Sequence, residues 1–316
     1  MHPQQSRAES SSNGVAERAL VLGGGGAAGN AWEIGVLAGL FDTGTDVTEA
    51  DLIIGTSAGS TVAAQISGAR PPELLTAILA QASQPPTGSA GSGGRASPTT
   101  SPTTSPTMRA AAVMEKTGDI IRAAKDAAEM RRRLGAAALE ADAASGGSRQ
   151  AQWRATVATR LPSQDWPQRR VHIVAVDADT GEPVVFDRHS GVDLVDAVAA
   201  SCANGFTHRI GDNRYIDGGY RRSSENADLA AGYRRVLVLS PFGGRSRMPP
   251  EWGMHLAAQV DELRAGGSRV ETIFPDSDSR DLFGANAADP SARPRAARAG
   301  YDQGKALADV VAELWY

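Results

Sequence analysis

Short, unbroken apolar runs alternate along this chain with longer amphipathic segments, and glycine, proline and serine punctuate the joins. Ala19-Leu20-Val21-Leu22 is short enough to be a strand buried on both faces. Gly23–Gly29 follow as a loop, and Ala31–Phe41 predict a helix. Asp51-Leu52-Ile53-Ile54 predict a second strand, and the chain beyond Ser57 a helix reaching about Gly68. Pro71–Gln81 predict a further helix with proline in its first turn, where a missing N–H costs nothing. Periodicity then stops. Gln84–Thr107 contain Pro85-Pro86, Gly91-Ser92-Gly93-Gly94 and repeated Ser-Pro-Thr-Thr, too little apolar surface to build a core, so a mobile or disordered excursion is expected at 84–107.

From Met108 to Ala144 the pattern predicts a helical cap (108–144) whose apolar face is Val113, Met114, Ile120, Ile121, Met130 and Leu134. It reads as a cap packed on the core, with a mobile or lipid-contacting lid as the alternative. Strands return at Val171–Val176 and Pro183–Phe186, joined by a turn containing Asp179-Thr180-Gly181, and Val192–Ser201 predict a helix. Phe206–Ile210 and Arg214–Ile216 predict a hairpin around Gly211-Asp212-Asn213. Val236–Leu239 and Val270–Phe274 predict strands, and Glu251–Arg264 and Ala292–Leu314 helices. Strands interleaved with helices imply an α/β sheet covered on both faces.

Composition narrows the function. The chain has 316 residues, 41% of them hydrophobic, enough for a substantial core in one α/β domain or two smaller ones. Its net charge of −4 comes from intermixed signs, which offers nucleic acid no basic footprint. Lysine is confined to Lys116, Lys125 and Lys305, and arginine supplies the rest of the positive charge. The single cysteine, Cys202, excludes an internal disulfide and a multi-cysteine zinc site, and fits a reducing compartment. Met1–Glu17 are polar, lack the apolar core of a signal peptide and are expected to be a disordered tail (1–17) before a single domain at 18–316. No stretch has the length and apolarity of a membrane span. A cytoplasmic protein is expected, peripheral membrane contact being compatible with the same pattern; the oligomeric state is left open.

The chemistry begins at Gly55-Thr56-Ser57-Ala58-Gly59. A strand, a sharp turn bearing serine and then a helix is the context of a nucleophile elbow, in which the flanking glycines let backbones pass closely. The turn exposes the Ser57 hydroxyl at a helix N-terminus, which favours a developing anion. Consecutive glycines after the first strand can aim backbone N–H groups at an oxyanion. Gly24, Gly26 and Gly29 also fit G-x-G-x-x-G, with Asp42 and Asp46 near the ribose-binding position. That motif alone is weak, and the next strand leads into a serine elbow instead, so no dinucleotide cofactor is expected. For a general base, Asp217 in Tyr215-Ile216-Asp217-Gly218-Gly219 ends a strand before two glycines; Asp-Gly is also a common turn signal. The competing bases are His2, His172, His189, His208 and His255. The order Ser57, Asp217, His255 matches that of α/β-hydrolases, but too few strands precede Ser57 for that fold. Cys202 has no neighbour in sequence that would activate a thiolate, and its default role is structural.

Taken together, the glycine loop, the G-T-S-A-G elbow and the distant D-G-G resemble the patatin-like phospholipase family. The resemblance runs from Arg18 to Leu314, apart from Gln84–Trp166, and includes Ala31–Leu37, Asn226–Ala230 and Val236–Leu239. It implies a three-layer α/β/α sandwich around a mainly parallel sheet. It also implies a serine lipid acyl hydrolase with Ser57 as nucleophile, Asp217 as base and no histidine. The backbone of Gly24, Gly25 and Gly26 would then form the oxyanion hole, with Gly55 and Gly59 shaping the elbow. No cofactor or metal is implied, and the substrate would be a phospholipid or another acyl ester. A non-catalytic acyl-lipid-binding protein or an acyltransferase on the same fold are the alternatives. Two departures from the family pattern stand out. Ala28 and Gly29 lie where a basic residue usually follows the glycines, and Cys202-Ala203-Asn204-Gly205-Phe206 lacks the usual proline.

Overall fold

The first apolar run becomes the central strand β1 (Arg18–Leu22) of the computed structural model, which describes residues 17–83, 106–145, 148–284 and 287–316. Then follow α1 (Gly26–Asp42), β2 (Leu52–Thr56), α2 (Ala58–Gly68), α3 (Pro71–Ser83), α4 (Pro106–Ala123), α5 (Ala127–Ala143) and α6 (Ser148–Ala158). The second half supplies β3 (Arg170–Asp177), β4 (Pro183–Phe186), α7 (Leu194–Ser201), β5 (His208–Ile210), β6 (Asn213–Asp217) and β7 (Arg235–Leu239). It ends with α8 (Leu256–Ala265), β8 (Arg269–Ile273), α9 (Arg293–Ala306) and α10 (Ala308–Trp315). The expected tail, apart from Glu17, and the expected excursion, apart from residues 106 and 107 in α4, lie outside the described residues.

The strands form one mixed sheet in the order β5-β6-β3-β2-β1-β7-β8, with β4 added to β3. β3, β2, β1, β7 and β8 are parallel; β4 and β6 pair antiparallel to β3, and β5 antiparallel to β6. Leu20, Leu22, Ile53, Ile173 and Leu237 face one core, shared with residues of α1, α2, α3, α7 and α9. Ala19, Val21, Ile54, Val174 and Val238 face the opposite core, under α8 and the short turn Ala227–Ala230. This is the three-layer α/β/α arrangement expected from the alternating elements.

Register places the functional end of the sheet. Leu22 pairs with Gly55, so the chain leaves β1 and β2 side by side at their C-terminal ends. Thr56 pairs with Val174, and Asp217 with Ala175 on the other side of β3. Ser57 and Asp217 therefore stand at the same height across one intervening strand. The crevice outside the C-terminal ends of parallel strands is where open α/β sheets bind ligands.

Several expectations shift. α1 starts at Gly26, so most of the expected Gly23–Gly29 loop is the first turn of a helix. The cap is two helices, because Asp126 caps α5 by accepting the Glu129 N–H at 2.7 Å while the Glu129 carboxylate accepts the Lys125 N–H. Of its expected apolar face, Ile121, Met130 and Leu134 are buried, together with Val176, Ile216, Tyr220, Met248 and Met254, whereas Met114 is 47% exposed. α6 has no counterpart in the hydrophobic pattern; it is held by Trp153, whose indole N–H donates to the Ala199 carbonyl at 3.0 Å. The expected helix from Glu251 breaks at Gly253, whose φ of +63° leaves the helical region, and the C-terminal helix breaks at Leu307. Among the described residues no helix is long and apolar enough to cross a membrane.

Candidate active site

Ser57 sits at the turn from β2 into α2 with φ +52° and ψ −117°, a conformation a non-glycine residue adopts only when its surroundings impose it. Those surroundings are dense. The Ser57 N–H donates to Ser201 Oγ at 2.9 Å. The Ser57 carbonyl accepts from Ser60 Oγ at 2.6 Å and from Cys202 Sγ at 3.0 Å. Gly59 is required by close approach: a Cβ there would lie 2.1 Å from the Leu22 carbonyl oxygen. The elbow is thus wedged against the end of β1.

The Ser57 hydroxyl donates to Asp217 Oδ2 at 2.8 Å. The other carboxylate oxygen, Oδ1, accepts the Gly219 N–H at 2.8 Å, and the Asp217 N–H donates to the Ala203 carbonyl at 2.9 Å. Asp217 is only 7% exposed. Burial raises its carboxyl to about 6, opposed by the Gly219 N–H, the Ser57 hydroxyl and the Arg247 guanidinium. Serine and aspartate are therefore in direct hydrogen-bond contact, and the proton affinity of the carboxylate lies near neutrality.

The histidines are elsewhere. His208 is fully buried with Nε2 2.9 Å from Asp196, and His255 Nε2 lies 2.8 Å from the Met248 carbonyl. His172 is on β3, where burial lowers its pKa, and His189 lies in the turn capped by Asp187. His2 is outside the described residues. Among the described residues, no histidine is a hydrogen-bond partner of Ser57 or Asp217. Cys202 turns its thiol inward against Ser57, Ser60 and Thr61, and enclosure pushes it up to about 11. It is a neutral hydrogen-bond donor at physiological pH, not a second nucleophile.

The glycine loop lies beside the elbow: a Cβ on Gly24 would be 3.4 Å from the Ser57 Cβ. One expected donor is corrected. The Gly24 N–H is already donated to the Ser224 carbonyl at 2.8 Å, so it anchors the loop and is not free for an oxyanion. The N–H groups of Gly25 and Gly26 have no acceptor among the described residues. Both lie at the N-terminus of α1, where partial positive charge gathers. Gly25 is needed for packing as well, since a Cβ there would come within 2.5 Å of the Pro241 ring. Beneath the loop, Glu33 of α1 is completely buried with no hydrogen-bond partner for either oxygen among the described residues, and burial raises its pKa well above the ordinary range.

Sequence reasoning missed four contributors. Arg247 donates through Nη1 to the Met114 carbonyl at 3.0 Å and to Thr117 Oγ1 at 2.9 Å, tying α4 to the site. Tyr220 donates its hydroxyl to Asn204 Oδ1 at 2.9 Å. Ser201 holds the Ser57 backbone, and Asn226 holds the strand ends described below. Only Asn226 had a signal, its place in the Asn226–Ala230 stretch. Among the described residues, no group of three or more His, Cys, Asp or Glu side chains is arranged to hold a metal ion.

A family model described as patatin-like phospholipase matches residues 20–231. No curated protein matches the chain. Among solved structures, the chain is similar to VipD from Legionella pneumophila at 14% identity and a TM-score of 0.41, covering 93% of this chain and 67% of that one. It is also similar to the type III effector protein ExoU at 17% identity and a TM-score of 0.39, covering 93% of this chain and 53%, about half, of that one.

Proposed function

We propose a mechanism that proceeds from one premise: this chain belongs to the patatin-like phospholipase family, and is therefore a serine-based lipid acyl hydrolase. Ser57 is the nucleophile and Asp217 the general base. The observation that supports these roles is the 2.8 Å hydrogen bond from Ser57 Oγ to Asp217 Oδ2. As Ser57 Oγ attacks the carbonyl carbon of an acyl ester, its proton passes to Asp217 and the carbonyl π electrons move to oxygen. The Gly25 and Gly26 N–H groups stabilise that oxyanion, each preorganised donor contributing about 3 kcal/mol to the transition state. Collapse expels the alcohol, which takes the proton from Asp217, and leaves an acyl-Ser57 ester. Water then repeats the attack, giving its proton to Asp217, and the second collapse returns it to Ser57 with release of the fatty acid.

A base at about 6 suits this cycle, because it is ionised at neutral pH yet basic enough to accept a hydroxyl proton as the bond forms. The substrate class is a phospholipid or another acyl ester, met by a chain without a spanning helix among its described residues, at a membrane surface or in solution. The deciding experiment is Ser57→Ala. Turnover of a chromogenic acyl ester should fall by ~10³-fold or more, with loss of fluorophosphonate labelling, as expected for removal of a nucleophile. Full labelling of the Ser57→Ala protein would sink the assignment. An acyl acceptor other than water would show as a new ester when an alcohol is added.

A further inference from the structure

We propose that Asn226 is a positioning residue that fixes the spacing of Ser57 and Asp217 by tying together the two strand ends that carry them. This inference rests on the dyad reading above. The two strands do not touch: β3 lies between β2 and β6. Within the sheet, Ser57 and Asp217 are kept in register only through β3, and both leave their strands at that point. Asn226 spans the gap. Its Nδ2 donates one hydrogen to Thr56 Oγ1 at 3.0 Å, one residue before Ser57, and the other to the Gly218 carbonyl at 3.0 Å, one residue after Asp217.

The orientation of the amide follows from its neighbours. Gly218 O only accepts, so the nitrogen must face it, and Oδ1 is left to accept from Arg221 Nη1 at 3.3 Å. Arg221 is itself held by Asp228 through two contacts of 2.9 Å. The Asn226 N–H donates to Ser223 Oγ at 3.2 Å, and its carbonyl accepts the Leu229 N–H at 3.2 Å. Asn226 is completely buried with every polar group satisfied. Its backbone is left-handed at φ +52° and ψ +41°, a conformation asparagine tolerates better than most residues. An amide so placed is a spacer with two arms of fixed length. Two residues earlier, the Ser224 carbonyl takes the Gly24 N–H, so the same segment anchors the glycine loop.

The test uses three variants of the full chain. Asn226→Gly suits the left-handed backbone and removes both arms; Thr56→Val removes one arm at nearly constant shape; Thr56→Ser keeps the hydroxyl. With a misplacement of the order of 1 Å able to cost ~100-fold, Asn226→Gly should lower kcat by roughly 10- to 100-fold with KM within about twofold, and fluorophosphonate labelling should slow in step. Thr56→Val should lose less, and Thr56→Ser should recover most of that loss. A crystal structure of Asn226→Gly should show the Ser57–Asp217 contact lengthened beyond hydrogen-bond range. Wild-type kcat and labelling in folded Asn226→Gly, or an unchanged dyad contact in its crystal structure, would overturn the proposal. Should Asn226→Gly fail to fold, the Thr56 pair decides: equal rates for Thr56→Val and Thr56→Ser would overturn it, and a hydroxyl-dependent rate supports it. Mass-spectrometric mapping of the wild-type adduct to Ser57 tests the dyad reading separately, and the crystallographic distance reports on the spacer whether or not Ser57 reacts.

Discussion

Burial lifts the Asp217 carboxyl from its ordinary 3.8 to about 6, even though the Gly219 N–H, the Ser57 hydroxyl and the Arg247 guanidinium all favour the charged form. An acid raised on folding binds more protons in the folded than in the unfolded chain between those two values. Its contribution to stability is therefore most favourable below about 4, declines as pH rises through the window from about 4 to about 6, and is a full penalty above it. At 1.36 kcal/mol per unit, keeping this carboxylate charged at neutral pH costs on the order of 3 kcal/mol. The proposed mechanism needs the opposite state, since only the carboxylate can take the Ser57 proton. Asp217→Asn should separate the two: turnover is lost, while thermal denaturation at pH 7.5 shifts to higher temperature because a buried charge has been replaced by a neutral amide. In the wild type, kcat/KM should fall on an acid limb near pH 6. A limb near 4, or an Asp217→Asn protein less stable than wild type, would contradict the burial argument.

The cap helix α4 is tied to Arg247, whose guanidinium bears on the Asp217 carboxyl. Arg247 binds its Met114 carbonyl and Thr117 hydroxyl, and the same guanidinium lowers the Asp217 pKa. Removing the charge removes that lowering, so in Arg247→Ala the acid limb should move to higher pH, while Arg247→Lys should hold it near the wild-type position. An unmoved limb in Arg247→Ala would show that the cap is electrostatically uncoupled from the base. This link could not be read from sequence, because nothing around Arg247 in Ser246-Arg247-Met248-Pro249 marks it as pointing at a site. The strands and the elbow could, because β1, β2 and β7 are short apolar runs with abrupt glycine or serine ends, and the pattern dictates both burial and termination. The Ser57–Asp217 pairing was legible as three ordered motifs, but the loss of Gly24 as a free donor was not: it depends on the Ser224 carbonyl, brought in from far along the chain. α6 escaped for a similar reason. Its stabilising contacts, Trp153 to Ala199 and Arg154 to Asp196 at 2.9 Å, are tertiary, and its own sequence has no apolar stripe.

At the scale of the whole molecule, the family match ends at residue 231 but the sheet does not. β1, which delivers the glycine loop, pairs with β7 from Arg18↔Arg235 to Leu22↔Leu239, and β8 lies beyond. α1, which begins in that loop, is buried against α9 at a separation only glycine allows: a Cβ on Gly35 would lie 2.2 Å from the Ala297 carbonyl oxygen, and one on Gly300 2.2 Å from that of Trp32. The loop itself is gripped from the same side, with the Ala28 N–H donated to the Ala287 carbonyl at 2.9 Å and the Gly23 N–H to the Leu239 carbonyl at 3.1 Å. Residues 232–316 are thus part of the scaffold that holds the glycine loop, not an appendage. Without them β1 becomes an edge strand with unpaired backbone groups and α1 exposes Trp32, Val36 and Leu40, a combination that favours aggregation over a folded monomer. A protein spanning residues 17–231 should therefore lack a cooperative thermal transition and take up no fluorophosphonate at Ser57, while the full chain does both. A soluble 17–231 fragment with a sharp transition and wild-type labelling would show that the matched segment folds and acts alone, and that β7, β8 and α9 merely decorate it.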